Sequence, residues 1–169
     1  MQAIVHDTYG PPEVLELREI DKPLIGDDDV LIRVHAAGLD PSVWHLTTGL
    51  PYLVRIMYGL RKPKTPVRGW DVGGVVEVVG KSVTQFWPGD EVLGTCRGAF
   101  AEYASAGADK LLPKPANLTL VQAAGVPVSA CTALQALRYA GNVRAACADQ
   151  RCGRRRGDLR GADRQGARR

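Results

Sequence analysis

Apolar and polar residues alternate along the first half of the chain in short segments that predict β-strands. Residues 15–20 alternate with a period of two, as in a strand that is buried on one face. Residues 30–37 form the strongest such segment, with Val30, Ile32 and Val34 predicted on one face. The other predicted strands cover residues 3–6, 72–80, 91–95, 99–104 and 110–113. About seven short strands therefore precede any long helix.

Helical signals concentrate at two places along the chain. Asp40 is the predicted N-cap of a short helix over residues 41–46, which begins with a proline. Thr119 is the predicted cap of a helix over residues 121–126, and a longer helix follows over about residues 128–139. A chain in which the strands come first and the helices last is typical of a small β-barrel or sandwich that ends in helices.

Glycine and proline mark the irregular parts of the chain. Residues 49–66 contain glycines and prolines that interrupt any period, so a long loop is predicted there, and loops of this length are often functional or mobile. Gly73 and Gly74 interrupt a β-branched run over residues 72–80. This pair predicts a bulge or a close approach of another backbone segment.

The composition is that of an ordinary globular protein. The 169 residues are 45% hydrophobic and 24% charged. No run approaches the roughly 18 apolar residues of a membrane helix, and residues 1–7 lack the basic and apolar regions of a secretory signal. The four cysteines, at positions 96, 131, 147 and 152, show no regular disulfide or zinc spacing. We therefore expect a cytoplasmic protein without a membrane partner.

The net charge of +4 is concentrated in the last 25 residues. Residues 145–169 contain eight arginines and three aspartates, a net charge of +5, so the first 144 residues carry −1. Among the larger apolar residue types this tail contains only Leu159. Because it cannot bury enough apolar surface to offset its chain entropy, we expect a disordered basic tail.

Six motifs in a fixed order resemble those of one enzyme family. They cover residues 30–34 with 36–41, 69–76, 78–80, 88–92, 98–103 and 130–137. In this order, the motifs resemble the N-terminal GroES-like domain of the medium-chain dehydrogenase/reductase family, in its zinc-free quinone oxidoreductase branch. The resemblance implies a mainly β fold with helices, namely a partly open GroES-like β-barrel followed by C-terminal helices.

The zinc-free assignment follows from the residue types at two places. A catalytic zinc in this family would need a cysteine just after the first Ala-Gly and a His-Glu pair in the glycine-rich strand. This sequence has Leu39-Asp40 and Trp70-Asp71 there, and a tryptophan cannot ligate zinc. The three histidines, at positions 6, 35 and 45, share no ligand-like spacing, so we expect them to have core or surface roles. We expect no metal site.

The resemblance implies an NADPH-dependent oxidoreductase that passes a hydride to a quinone or an activated alkene, such as an enone. It places Asp40, Trp44 and Thr132 on the side that faces the cofactor. Each residue also has a plainer interpretation. Asp40 could be only an N-cap, Trp44 only a core residue and Thr132 only part of a helix interior.

The sequence predicts three regions. Residues 1–127 are the GroES-like domain, residues 128–144 are a helix leading towards a Rossmann domain, and residues 145–169 are the tail. A Rossmann domain needs a glycine-rich turn between a strand and a helix to receive the cofactor's pyrophosphate. No such turn is present in residues 140–169. We therefore predict that the Rossmann domain is absent, and that the chain is inactive and does not hold NADPH.

The tail has the composition expected of a message read out of frame. When residues 145–169 are back-translated and read one base later, the 24 shifted codons can spell QRVLINGAAGGVGTFAVQIAKALG with allowed codons throughout. The first and third bases of each shifted codon are largely set by the tail, and the middle base depends on synonymous choice. The shifted string resembles the strand, glycine-rich turn and helix that the family would have here. We hypothesise a frameshift near codon 144.

Two other functions remain open at this point. The tail arginines at positions 154–156 could bind nucleic acid or another acidic partner through a salt-dependent attraction to phosphate. The tail contains no aromatic residue to stack on bases, which argues against nucleic acid as its partner. The body could instead be a free-standing GroES-like interaction module, although its motifs match the reductase branch. The oligomeric state is not predicted.

Overall fold

The computed structural model describes residues 1–139. The chain divides into a compact unit, Met1–Cys131, and a second unit, Thr132–Arg169, of which residues 132–139 are described. The predicted tail over residues 145–169, with its candidate nucleic-acid contacts, lies outside the described residues, as do residues 140–144. The predicted division of the chain after residue 127 stays a prediction.

Within residues 1–139, seven strands and four α-helices follow one another in an order close to the predicted one. The strands are β1 (Gln2–Val5), β2 (Glu16–Glu19), β3 (Asp29–Ala37), β4 (Asp71–Val79), β5 (Glu91–Thr95), β6 (Tyr103–Gly107) and β7 (Leu111–Pro113). The helices are α1 (Pro41–Thr48), α2 (Leu53–Tyr58), α3 (Leu120–Ala124) and α4 (Pro127–Tyr139). Two short 3-10 turns lie at Pro12–Val14 and Ala108–Lys110.

The strands form two open antiparallel sheets. The larger has the order β6-β3-β4-β5-β7, and the smaller pairs β1 with β2. Isolated bridges from Ala3 to Ala101 and from Val5 to Val67 join β1 to segments that flank the larger sheet. This arrangement confirms the predicted fold class, mainly β with helices.

The core lies on one face of the larger sheet. It is built largely from β-branched residues of β3, β4 and β5, including Val30, Ile32, Val72 and Val92, with Phe86 packed among them. Burying each such side chain stabilises the fold by about 1.5–3 kcal/mol. The alternation predicted for β3 is only partly observed, because Leu31 on the opposite face is also buried, while Arg33 and His35 are exposed.

The long loop predicted over residues 49–66 is wrong in part, because it contains helix α2. Six residues without glycine or proline are too few to show a helical period. Arg55 of this helix donates hydrogen bonds to the carbonyl oxygens of Thr48 and Gly49, at 3.2 and 3.0 Å. These contacts attach α2 to the end of α1, and Gly59 ends α2 with a φ of 121°.

The strand predicted over residues 99–104 lies further along, at β6. Gly98 turns the chain with a φ of 79°, and residue Ala101 makes only an isolated bridge to Ala3. Regular pairing with β3 starts at Tyr103, which lies opposite Arg33. The apolar alternation correctly indicated a strand in this part of the chain. Its first residue, however, is set by where pairing with β3 begins.

The predicted caps are present. The Asp40 side chain accepts a hydrogen bond from the backbone N–H of Ser42, at 2.6 Å. Thr119 and Gln122 form a reciprocal capping box at the start of α3. Both caps satisfy N–H groups that a helix start leaves without intrahelical partners. No helix within residues 1–139 has the length and apolar character needed to cross a membrane.

Candidate functional site

The first turn of α1 holds a buried carboxylate with one unsatisfied oxygen. Asp40 is only 9% exposed, and its Oδ1 is used by the cap to Ser42. Its Oδ2 is buried and has no hydrogen-bond partner among the described residues. Such an oxygen is costly to leave unpaired, which makes it a candidate acceptor for a donor group of a ligand.

A second buried carboxylate adjoins Asp40. Asp71 opens β4 and is 1% exposed, and its two oxygens accept from the backbone N–H of Val128 at 3.1 and 3.3 Å. Burial raises the pKa of Asp71, the hydrogen bond from Val128 lowers it, and the charge of Asp40 raises it further. The Gly38 backbone N–H donates to the Asp71 carbonyl oxygen at 3.0 Å, which places both carboxylates at the junction of β3, β4 and α1.

Cys96 lies just after β5, near the Asp71 carboxylate. Its thiol is buried, and burial together with the charge of Asp71 raises its pKa to about 12. A thiol with this pKa stays protonated at neutral pH, whereas the thiolate is the nucleophile and metal ligand. Cys96 is therefore a packing residue. Within residues 1–139, no three His, Cys, Asp or Glu side chains are grouped so that they could hold a metal ion.

A cleft of about 440 Å³ opens beside α1. Its lining includes Ser42, His45, Leu46, Tyr58, Trp70 and Val128. His45 Nδ1 lies 2.7 Å from the Leu50 carbonyl oxygen. Because a carbonyl can only accept, Nδ1 carries the hydrogen, and Nε2 is the nitrogen left for a ligand. The cleft thus combines apolar and aromatic walls with one oriented imidazole.

The predicted site residues lie in different parts of the chain. Asp40 and Trp44 share α1, where Trp44 is 53% exposed and packs edge-to-face on His45 with ring centroids 5.0 Å apart. Its exposure excludes the plainer interpretation of Trp44 as a core residue. Thr132 lies on α4, within the second unit, and its side chain is exposed. A contact of these three residues with a cofactor stays a prediction.

Sequence reasoning missed His45, Tyr58 and the pairing of Asp71 with Val128. His45 was expected to have only a core or surface role, yet it lines the cleft. Its position one residue after Trp44, on the same helix as Asp40, was a usable signal. Nothing local could have predicted the hydrogen bond between Asp71 and Val128, because 57 residues separate them.

Residues 26–116 match the alcohol dehydrogenase GroES-like domain family. The chain belongs to this family. The human quinone oxidoreductase is 37% identical over 149 residues, which are 86% of this chain and 43% of that protein. The pig quinone oxidoreductase is 36% identical over 148 residues.

Solved structures agree with this assignment of the GroES-like domain. The quinone oxidoreductase of Coxiella burnetii superposes with a TM-score of 0.76 at 33% identity, over 83% of this chain and 45% of that one. A mycobacterial protein complexed with NADPH superposes with a TM-score of 0.71 at 27% identity, over 86% of this chain and 42% of that one. The domain is quinone oxidoreductase-like within the medium-chain dehydrogenase/reductases. The chain spans less than half of the length of the curated relatives named here.

The raised pKa of Asp71 predicts how stability depends on pH. A carboxyl whose pKa is higher in the folded than in the unfolded chain binds more protons when folded, so its ionisation weakens the fold as the pH rises. Between pH 4 and 7, the free energy of unfolding of the wild type should fall relative to that of Asp71→Asn. Urea denaturation of both proteins across this range measures the difference. The exposed Asp28→Asn variant is the control, and a pH-independent difference for Asp71→Asn would contradict the prediction.

Proposed function

We propose that this domain forms the substrate side of an NADPH-dependent oxidoreductase that reduces a quinone or an activated alkene without zinc. The observation that carries the proposal is the buried Asp40 Oδ2, which has no donor among residues 1–139, at the N-cap of the helix that holds the cleft residue His45. The similarity to quinone oxidoreductases supports the substrate class. The residues at the two zinc-ligand places, Leu39-Asp40 and Trp70-Asp71, support chemistry without a metal.

The residues present fit the nicotinamide end of the cofactor. The carboxamide of nicotinamide has N–H donors, and Asp40 Oδ2 is a buried acceptor that has no donor in the described part of the chain. When bound, the nicotinamide ring supplies the hydride, and the protein's part is to orient the ring and exclude water. Asp40 would fix the ring orientation, since its position is itself held by the cap to Ser42.

The cleft suits a planar, largely apolar substrate. Leu46, Tyr58 and Trp70 supply apolar and aromatic surface, which favours a quinone ring and excludes water from it. Reduction of a quinone also requires a proton at the oxygen. His45 and Tyr58 are the titratable side chains among the lining residues described above, and the His45 ring is held in place by the Leu50 carbonyl. We assign His45 to hold that proton at Nε2.

The role of Asp40 can be tested with a cofactor fragment. Asp40→Asn keeps an oxygen for the cap but replaces the free acceptor with an NH₂ donor, which would face the donors of the carboxamide. Reduced nicotinamide mononucleotide should bind the wild type weakly, and Asp40→Asn should weaken binding by about tenfold, the cost of a lost charge-assisted hydrogen bond. Ligand-detected NMR titration measures both affinities.

Asp40→Ser separates the cap from the acceptor. Serine retains N-capping ability, so the free energy of unfolding should change little, while fragment binding should weaken as in Asp40→Asn. Equal binding by all three proteins would show that Asp40 is only an N-cap. Binding of the fragment that does not depend on Asp40 would leave the fold assignment intact but remove the observation on which the proposed function depends.

A further inference from the structure

A second cavity, of about 360 Å³, is lined by the segment that leads into β4. Its walls include three cations, Lys64, Arg68 and Arg97, together with the aromatic rings of Tyr58 and Trp70. No aspartate or glutamate is among the described residues that line it. We call this cavity, with these five residues, the basic cavity.

Arg68 is the buried cation of the basic cavity. It is only 4% exposed, and no carboxylate of residues 1–139 lies within ion-pairing distance of its guanidinium. Its Nε donates to His6 Nε2 at 3.1 Å, and its Nη2 donates to the Leu46 carbonyl oxygen at 3.0 Å. Among the described residues, its Nη1 makes only a long contact of 3.4 Å, to Thr65 Oγ1 on the cavity wall. The Arg68 guanidinium therefore has N–H donors left on its side that faces the cavity.

His6 holds Arg68 in place without neutralising it. The Pro66 carbonyl oxygen lies 2.9 Å from His6 Nδ1, so Nδ1 carries the hydrogen and Nε2 accepts from Arg68. Burial lowers the pKa of His6, and the charge of Arg68 lowers it as well, against the hydrogen bond with Pro66. Because its Nε2 accepts from Arg68, the imidazole carries one hydrogen, at Nδ1, and contributes no negative charge. A buried cation without an anionic partner is costly in a folded protein.

Lys64 and Arg97 add to the positive charge of the basic cavity. Lys64 and Arg97 are exposed at the cavity, and neither forms an ion pair within the described residues. Cations that converge on a concave surface raise the local concentration of anions. The cavity volume is in the range of small-molecule sites, and its aromatic walls suit a planar ring.

We propose that the basic cavity binds a small aromatic carboxylate, with the carboxylate on the cations and the ring against Trp70 and Tyr58. Arginine suits this role because its planar fork of donors matches a carboxylate. The proposal does not depend on hydride transfer, since binding is measured on the chain without NADPH.

The test compares 2-naphthoate with its neutral counterpart 2-naphthamide by calorimetric titration of the whole chain. The carboxylate should bind about tenfold more tightly than the amide, and its affinity should fall as NaCl is added. Arg97→Gln and Lys64→Gln should each weaken naphthoate binding by about threefold, as expected for exposed charges. Arg61→Gln, an exposed arginine outside the cavity, should leave it unchanged.

Arg68→Lys tests the buried cation directly, and naphthoate should bind it more weakly because the ammonium cannot replace the fork of donors. If that variant fails to fold, the exposed variants Arg97→Gln and Lys64→Gln decide the matter. Equal binding of naphthoate and naphthamide would overturn the proposal. So would unchanged affinity in both exposed variants, or an equal loss in Arg61→Gln.

Discussion

We expect a frame-restored protein to oxidise NADPH in the presence of a quinone. In this protein the message is read one base later from about codon 144 and translated to the next stop codon of that frame. The 169-residue chain should not oxidise NADPH. The shifted string contains the glycine-rich turn that a pyrophosphate requires, and a held cofactor turns an encounter in solution into a positioned reaction. The rates should differ by about a thousandfold or more. The loss of NADPH absorbance measures both.

The DNA provides the first check of that prediction. The frameshift hypothesis requires the middle bases of the shifted codons over residues 145–169 to spell the proposed strand, turn and helix. Middle bases that spell an unrelated string would contradict it. If the bases agree but the frame-restored protein is inactive, the frameshift hypothesis survives and the proposed reductase activity does not.

Gly73→Ala should destabilise the folded domain strongly. A Cβ at this position would lie 2.4 Å from the Leu120 carbonyl oxygen and 3.2 Å from the Ala124 nitrogen. Both are backbone atoms of α3, so the clash is relieved only if the helix moves away from the sheet. We expect a loss of about 2–3 kcal/mol in the free energy of unfolding, the usual cost of overpacking. Urea denaturation followed by circular dichroism measures it.

Gly125→Ala is the matched control for Gly73→Ala. Gly125 ends α3 with a φ of −84°, and a Cβ there would meet only the Gln122 carbonyl oxygen, at 3.6 Å. This is ordinary van der Waals contact, so the free energy of unfolding should change by less than about 0.5 kcal/mol or rise slightly. Similar losses in the two variants would show that the close approach of α3 to β4 does not decide stability.

Features that depend on neighbouring residues were predictable. The N-cap at Asp40 and the capping box that begins at Thr119 are local signals, because the side chain bonds to a backbone group two or three residues away. The strand β5 was predicted with its observed bounds, and Gly73 was expected to allow a close backbone approach. The ordered motifs predicted the fold class, since a family resemblance combines many weak local signals.

Features set by distant contacts were not predictable in this way. Helix α2 was missed because six residues carry too little periodicity, and its anchoring depends on Arg55 reaching back to Thr48 and Gly49. The start of β6 was misplaced because β3 decides where pairing begins. In each case the local sequence permitted the observed structure without requiring it.

The family resemblance, the order of the strands, three of the four helices within residues 1–139, and the residue types at the places where a zinc site would lie could all be derived from the sequence alone. The hydrogen bond from Val128 to Asp71, and the burial of Arg68 against His6 with no carboxylate of residues 1–139 beside it, follow only from the tertiary structure. Asp71 and Val128 are 57 residues apart, and His6 and Arg68 are 62 residues apart. Periodicity and caps describe a residue's own element, whereas burial and charge pairing depend on which elements meet when the chain folds.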